Sequence, residues 1–268
     1  NGIRHMANNP HWHGKAPPKR QTEVLLEELE SECLIAPSII AGERENYEDK
    51  IRKVEREGVD MIHLDVMDGR FVPNATFFAD TIKKLRRLTS LPFDTHLMIE
   101  DPLKSIQDYI DARCDIITVH AEACTENEFR EIQERLIANG ISPGIAINPG
   151  TDVPKWLYQC LHNLDVVIVM SVNPGSAGQK FMPEVLSKMI VLNKQLRQNG
   201  FRGYIEADGG VDQSTIVSCY EAGCRIFVMG NAIFGSEDIA KRISETKFKL
   251  DSHLEQTLLD KSQDLNVR

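Results

Sequence analysis

Eight short apolar runs recur along the chain, and polar residues dominate between them. No run exceeds seven residues, and each is rich in Val, Ile, Leu or Met. Such runs are too short for a typical helix and too apolar for a strand with one face in water, so they predict parallel strands buried on both faces. The runs are 34–40, 61–67, 93–99, 116–120, 142–148, 166–172, 204–210 and 225–230.

Segments with helical periodicity lie between these runs. The clearest are 46–58, 127–140, 184–200 and 236–250. The first three end at a glycine, a residue that favours the end of a helix. An alternation of buried strand and helix repeated eight times predicts an α/β fold, a (β/α)8 barrel of the TIM type. A doubly wound open sheet is the alternative, but no GxGxxG motif follows the first strand.

A single domain accounts for most of the chain. No boundary is visible within 33–246, which we interpret as the barrel. Residues 1–20 are polar and predict a disordered tail, and 21–32 predict an amphipathic helix. Residues 247–268 predict a helical tail, which either packs on a partner subunit or frays.

Charge and composition narrow the classes of partner. The chain has 40 acidic and 31 basic residues, a net charge of −9, which argues against a nucleic-acid or anionic-membrane surface. No apolar run approaches the roughly 18 residues of a membrane span. The six cysteines form no CxxC pair and residues 1–20 lack an apolar leader. We therefore expect reduced thiols and a cytoplasmic protein.

Reactive side chains lie at the carboxyl ends of the predicted strands, where barrel enzymes place their active sites. His63 and Asp65 are two residues apart on one strand, so both point into the barrel. With His96 and Asp208 they give two imidazoles and two carboxylates, a ligand set that suits a divalent transition metal. The alternative is that each histidine is a satisfied core residue and each aspartate a helix cap.

Glycine-rich turns follow the last three predicted strands. They contain Gly175 and Gly178, Gly209 and Gly210, and Gly230 with Asn231. Barrel enzymes often hold a phosphate after strands 7 and 8 with backbone N–H groups, and glycine permits that close approach. Ordinary turns are the alternative.

Three methionines also fall at strand ends, namely Met67, Met98 and Met170. They either fill gaps in the core or shield a polarised substrate from water. We expect His120, after the fourth strand, to be structural or to support the site.

Several motifs in order resemble the ribulose-phosphate 3-epimerase family, over about residues 33–245. They are IAPSI (35–39), HLDVMDGRFVPNATF (63–77), DTHLMI (94–99), VMSVNPG (169–175), GQKF (178–181), EADGGV (206–211) and GNAIF (230–234). The resemblance implies a ribulose-phosphate-binding barrel that interconverts D-ribulose 5-phosphate and D-xylulose 5-phosphate, a step of the pentose phosphate pathway. It also implies a phosphorylated ketose as substrate and a homo-oligomer.

The family's residue roles transfer to matching positions in this chain. His63, Asp65, His96 and Asp208 would bind one divalent metal, with Zn²⁺ the first candidate and Fe²⁺, Mn²⁺ or Co²⁺ the alternatives. Asp65 and Asp208 would be the acid/base pair, and Met67, Met98 and Met170 would cap the enediolate. The implied substrate-binding residues are Ser38, His96, Gly175, Ser176, Ala177, Gly178, Gly209, Gly210, Gly230 and Asn231.

The chain departs from the family pattern mainly in one loop. Ser176-Ala177 stands where Phe-Gly is usual, and Asn231 replaces the usual serine. A hexulose 6-phosphate such as D-allulose 6-phosphate therefore remains an alternative substrate. A related sugar-phosphate decarboxylase is disfavoured, because the Asp-x-Lys-x-x-Asp motif of those enzymes has no counterpart at Asp65-Val66-Met67. A non-catalytic barrel that acts as a binding module is the last alternative.

Overall fold

The computed structural model describes residues 33–42 and 46–266. The predictions for 1–20 and 21–32 lie outside the described residues. Among the described residues, no helix is both long and apolar enough to cross a bilayer. All six cysteines are free thiols.

Eight parallel strands form one sheet in which each strand lies beside its neighbours in the chain. The strands are β1 (Leu34–Pro37), β2 (Ile62–Met67), β3 (Phe93–Met98), β4 (Ile116–His120), β5 (Ser142–Ile147), β6 (Val166–Met170), β7 (Tyr204–Asp208) and β8 (Ile226–Met229). β1 pairs with β8 in parallel, and a parallel bridge between Ser38 and His63 links the end of β1 to β2. The sheet thus curls into the predicted (β/α)8 barrel, and the open doubly wound sheet is wrong.

Helices alternate with the strands around the outside. They are α1 (Tyr47–Arg56), α2 (Ala79–Leu85), α3 (Pro102–Asp111), α4 (Glu126–Ala138), α5 (Leu157–Cys160), α6 (Val185–Gln198), α7 (Ile216–Glu221), α8 (Asn231–Phe234) and α9 (Ile239–Asn266). The helices predicted over 46–58, 127–140 and 184–200 are confirmed as α1, α4 and α6. α9 is continuous to Asn266, so the boundary drawn after residue 246 falls inside a helix.

Local sequence explains where these helices begin and end. The side chain of Asn46 caps α1, and Thr125 with Glu128 forms a capping box on α4. The residues just past α1, α4 and α6 are Gly58, Gly140 and Gly200, all with positive φ. Only glycine adopts this conformation without strain, so these residues end the helices as the sequence predicts.

The core has two layers because strand side chains alternate between the faces of the sheet. Leu64 and Val66 of β2 point outward into the apolar layer beneath the helices. His63 and Asp65 alternate with them and point inward. The lower barrel interior is apolar and contains Leu34, Met61, Ile116, Val166, Ile168 and Ile226. The upper interior is instead polar, and its buried side chains form the candidate site described next.

Candidate metal and active site

Four side chains from three strands converge inside the barrel. Asp65 of β2 and His96 of β3 are register partners, so they lie side by side. The distance from His96 Nδ1 is 3.4 Å to Asp65 Oδ1 and 3.2 Å to Asp208 Oδ2. His63 Nε2 lies 3.3 Å from Asp65 Oδ1. One ligand atom from each of the four residues lies within 4.8 Å of all the others, so the cluster could hold a metal ion.

The donor atoms fit a divalent cation. Both imidazoles are fully buried, and within the described structure His63 Nε2 and His96 Nδ1 lie near carboxylate oxygens without forming a well-aligned hydrogen bond. A buried polar atom without a partner is costly, and a cation between these nitrogens and the two carboxylates would satisfy both. Asp65 and Asp208 retain 8% and 10% side-chain exposure, so a ligand can reach them from outside.

Electrostatic interactions within the cluster favour protonated histidines and an ionised Asp65. Burial disfavours protonated His63, but the carboxylates of Asp65 and Asp94 outweigh burial and raise its pKa well above the usual value. Burial also disfavours protonated His96, and Asp208 and Asp65 nevertheless raise its pKa. Burial acts to raise the pKa of Asp65, but the two histidines outweigh it and lower that pKa. The cluster therefore attracts positive charge, which a metal ion can supply instead of protons.

A second carboxylate group lies behind His63, on the side away from the cluster. Asp94 Oδ2 is 2.6 Å and Glu206 Oε1 is 3.4 Å from His63 Nδ1. Both acids are fully buried, and burial together with the charge of Asp94 raises the pKa of Glu206 well above its usual range. Asp94 thus fixes the His63 ring with Nε2 facing the cluster. Neither residue was predicted from the sequence, although each precedes a predicted ligand by two positions and so shares its face.

His96 is also supported from behind, through His120 at the end of β4. The two Nε2 atoms are 2.8 Å apart, and His120 Nδ1 lies 3.1 Å from Glu122 Oε2. Burial lowers the pKa of His120 to about 4. Burial acts to raise the pKa of Glu122, but hydrogen bonds from His120 and neighbouring groups lower it to about 2. His120 is therefore neutral and Glu122 is ionised near neutral pH.

A cavity of about 600 Å³ opens above the two aspartates. All the remaining predicted site residues line it, namely Ser38, Met67, Met98, Met170, Gly175, Ser176, Ala177, Gly178, Gly209, Gly210, Gly230 and Asn231. The hydroxyl of Ser38 donates a 2.5 Å hydrogen bond to Asp65 Oδ2. The structure thus brings the whole predicted set together around one cavity.

Backbone conformation shapes the open end of this cavity. Gly210 has φ +65°, and a Cβ there would lie 2.3 Å from the backbone nitrogen of Phe181. A Cβ on Gly178, which has φ +80°, would lie 2.6 Å from the Asn231 side-chain amide. Only glycine fits both positions. Asn74, which the sequence analysis did not assign, anchors the loop by a 2.6 Å hydrogen bond to Gly175 O.

Fold and site together define a (β/α)8-barrel enzyme with a candidate metal centre at the carboxyl ends of its strands. Residues 34–234 match the model of the ribulose-phosphate 3-epimerase family. The chain belongs to this family and is an isomerase of the epimerase type, which confirms the resemblance found in the sequence.

Relatives of known name match this chain along most of their own length. The chain is 40% identical over 214 residues to ribulose-phosphate 3-epimerase of Bacillus subtilis, a match that covers 80% of this chain and 97% of the relative. It is 37% identical over 217 residues to the chloroplastic ribulose-5-phosphate-3-epimerase of Arabidopsis thaliana, which covers 81% and 77%.

Solved structures with low sequence identity share the fold. The 3-keto-L-gulonate-6-phosphate decarboxylase of Vibrio cholerae is similar with a TM-score of 0.62 at 16% identity, covering 83% of this chain and 99% of that chain. At this identity the likeness concerns the barrel alone.

Proposed function

We propose that the protein interconverts D-ribulose 5-phosphate and D-xylulose 5-phosphate, with one divalent metal ion bound by His63, Asp65, His96 and Asp208. The observation that carries this proposal is the pairing of Asp65 and Asp208. They reach the same cavity from β2 and β7, and each retains slight exposure within an otherwise buried cluster. Family membership supports the same substrate.

Inversion at C3 requires that a proton leave one face of the carbon and another arrive on the opposite face. Two carboxylates on different strands suit this task, because one acts as base while the other acts as acid and they exchange roles in the reverse direction. The hydrogen bond from Ser38 holds Asp65 in position for this transfer. Asp65 and Asp208 are the proposed catalytic residues.

The proton at C3 is acidic only if the resulting enediolate is stabilised. His63, Asp65, His96 and Asp208 would hold a divalent cation, which would act as a Lewis acid and stabilise the negative charge of the enediolate. Two nitrogen and two oxygen ligands suit Zn²⁺ best among the candidates, with Fe²⁺, Mn²⁺ and Co²⁺ as alternatives. Met67, Met98 and Met170 line the cavity beside the aspartates and would exclude water from the reacting carbons.

The phosphate would bind at the glycine-rich loops, as it commonly does after strands 7 and 8 of such barrels. Gly209, Gly210, Gly230 and Asn231 line that part of the cavity. Backbone N–H groups there can bind an anion without a lysine, which agrees with the acidic composition of the chain. Ser176 and Ala177, at the outer end, would contact the sugar phosphate, and D-allulose 6-phosphate is the second candidate substrate.

Proton exchange in D2O tests the proposal directly. We expect deuterium to enter C3 of D-ribulose 5-phosphate together with formation of D-xylulose 5-phosphate, and D-allulose 6-phosphate to exchange more slowly. Chelation should abolish exchange, and Zn²⁺, Fe²⁺, Mn²⁺ or Co²⁺ should restore it. Absence of exchange with both sugars in the metal-loaded protein would contradict the epimerase mechanism. Undiminished turnover after complete removal of metal would contradict the metal site.

A further inference from the structure

His120 is a fully buried histidine beside the candidate metal site, and its side chain is absent from the cavity lining. Its Nε2 lies 2.8 Å from His96 Nε2, and the two rings are inclined by only 24° with centroids 4.9 Å apart. In this near-coplanar arrangement the two nitrogens can share one proton in an N–H···N hydrogen bond. One Nε2 must therefore donate and the other must accept.

The other edge of His120 determines the direction of that bond. His120 Nδ1 lies 3.1 Å from Glu122 Oε2, and the second oxygen of Glu122 accepts the backbone N–H of Asn148 at 2.9 Å. An ionised carboxylate only accepts hydrogen bonds, so His120 must carry its proton on Nδ1. His120 Nε2 is then the acceptor, and His96 Nε2 is the donor.

We propose that Glu122 and His120 are positioning residues that keep a proton on His96 Nε2, so that Nδ1 is the nitrogen that gives up its proton and binds the metal. This inference rests on the proposed metal site. In the reverse direction His96 Nε2 would be the acceptor, so a neutral His96 would carry its one proton on Nδ1, where the ion binds, and Glu122 would face a nitrogen lone pair. The chain of contacts runs His96, His120, Glu122 and the backbone of Asn148, so Glu122 acts on the ligand from two contacts away.

The packing around the pair keeps this geometry rigid. The ring of Phe71, from the loop after β2, lies against His120 with centroids 4.7 Å apart. Lys188 donates to the carbonyl oxygens of Asn148 and Thr151, both at 2.6 Å, and so holds the loop that anchors Glu122. The imidazole of His120 thus has little freedom to turn over.

Glu122→Gln is the sharpest test because it preserves the shape of the side chain and replaces one carboxylate oxygen, an acceptor, with an amide NH₂, a donor. If the oxygen of the new amide still accepts the Asn148 N–H, its NH₂ faces His120 Nδ1 and favours the reverse direction. If the amide turns over, its NH₂ meets the Asn148 N–H, and two donors oppose each other. Either way, we expect Zn²⁺ and Co²⁺ affinity, measured by competition with a chelating dye, to fall 10- to 100-fold, the usual loss for an outer-sphere partner.

His120→Phe should give a similar loss because the acceptor for His96 Nε2–H disappears. Matched controls are Glu134→Gln and His162→Gln, which remove an exposed carboxylate and an exposed imidazole elsewhere on the barrel. We expect both controls to bind metal like the wild type. Circular dichroism and thermal melting identify any variant that fails to fold. If His120→Phe does not fold, Glu122→Gln alone tests the roles of both residues.

Ring ¹⁵N NMR reads the proton positions without any activity measurement. In the wild type, with and without Zn²⁺, we expect a proton on His96 Nε2 and on His120 Nδ1. A proton on His120 Nε2 instead, or metal affinities of Glu122→Gln and His120→Phe within twofold of the wild type, would overturn the inference. If the wild type binds none of the tested ions, the proposed metal site fails. The ring protons of the metal-free protein still decide whether the positioning chain exists.

Discussion

The two ends of the cavity are built from different parts of the chain. At its floor Asp65 and Asp208 line the cavity, and we count with them the buried strand side chains that lie behind them: His63, Asp94, His96, His120 and Glu206. Its rim consists of the loops 174–181, 209–212 and 230–232, where Ser176, Ala177 and Gly178 are exposed. Strands hold reactive groups rigidly, while loops offer backbone N–H groups at low steric cost. We therefore expect changes in the floor to act on chemistry and metal binding, and changes in the rim to act on substrate affinity.

The largest effect should come from Asp208→Asn in the floor. The amide preserves the shape but cannot accept or return the C3 proton, so kcat should fall by about 10³-fold or more. The measurement is deuterium incorporation at C3 with saturating D-ribulose 5-phosphate and metal.

Asp251→Asn, an exposed carboxylate on α9, is the control and should leave kcat unchanged. Full activity in Asp208→Asn would contradict the two-base mechanism. Such a result would also remove the main distinction between floor and rim.

The pH dependence of metal binding tests the charges in the floor. Because the pKa values of His63 and His96 are raised, the metal-free protein keeps both protonated above the ordinary value of about 6.5. A metal ion must displace those protons, so Zn²⁺ affinity should rise at least about tenfold from pH 6 to pH 8. Isothermal titration in two buffers of different ionisation enthalpy measures both the affinity and the protons released.

The raised pKa values of His63 and His96 also affect the stability of the fold. A raised histidine pKa stabilises the metal-free fold fully below about pH 6.5, and this contribution disappears as pH rises through the raised pKa. The melting temperature of the metal-free protein should therefore fall as the pH is raised above neutrality, and that of the metal-loaded protein should fall less. A metal affinity that does not change with pH would show that the histidines are already neutral.

The floor was the more predictable half, and the reason is geometric. His63 and Asp65 share a face because strand side chains alternate, and a polar pair in an apolar strand demands a partner. The same rule could have identified Asp94 and Glu206, each two positions before a ligand. The contact between His96 and His120 could not be read from the sequence, because it depends on side-chain orientation across two paired strands.

The rim was predicted as a set of glycines together with Ser176, Ala177 and Asn231. The sequence marks Gly178 and Gly210 as turn residues, but not which atoms come close to them. Phe181 and Asn231 define that space only in the folded loops. Asn74 and Gly175 are 101 residues apart, and nothing in either segment predicts their hydrogen bond. Local rules thus identify which residues face the site, whereas contacts between loops require the assembled barrel.

A moderate effect is expected from Gly210→Ala in the rim. The added Cβ would meet the backbone of Phe181, so the loop must shift and the KM for D-ribulose 5-phosphate should rise about tenfold, or about 1.4 kcal/mol. The kcat should change much less.

Gly200→Ala is the matched control, since Gly200 has φ +88° but no atom within 4 Å of an added Cβ. It carries the same backbone strain of about 1 kcal/mol without altering the cavity. A fall in kcat with unchanged KM for Gly210→Ala would mean that the rim also contributes to the chemistry.

The smallest effect should come from Ala177→Gly, which restores the glycine usual in the family at the outer rim. Apart from glycines, Arg113 alone has a positive φ among the described residues, so alanine at 177 is not strained. Its side chain is exposed, and exposed substitutions usually change free energies by no more than about 0.5 kcal/mol. We expect the KM values for D-ribulose 5-phosphate and D-allulose 6-phosphate to change by no more than about twofold. A tenfold fall in either KM would instead mean that the Ala177 methyl group contacts the substrate, and the rim would then select its sugar through side chains as well as backbone.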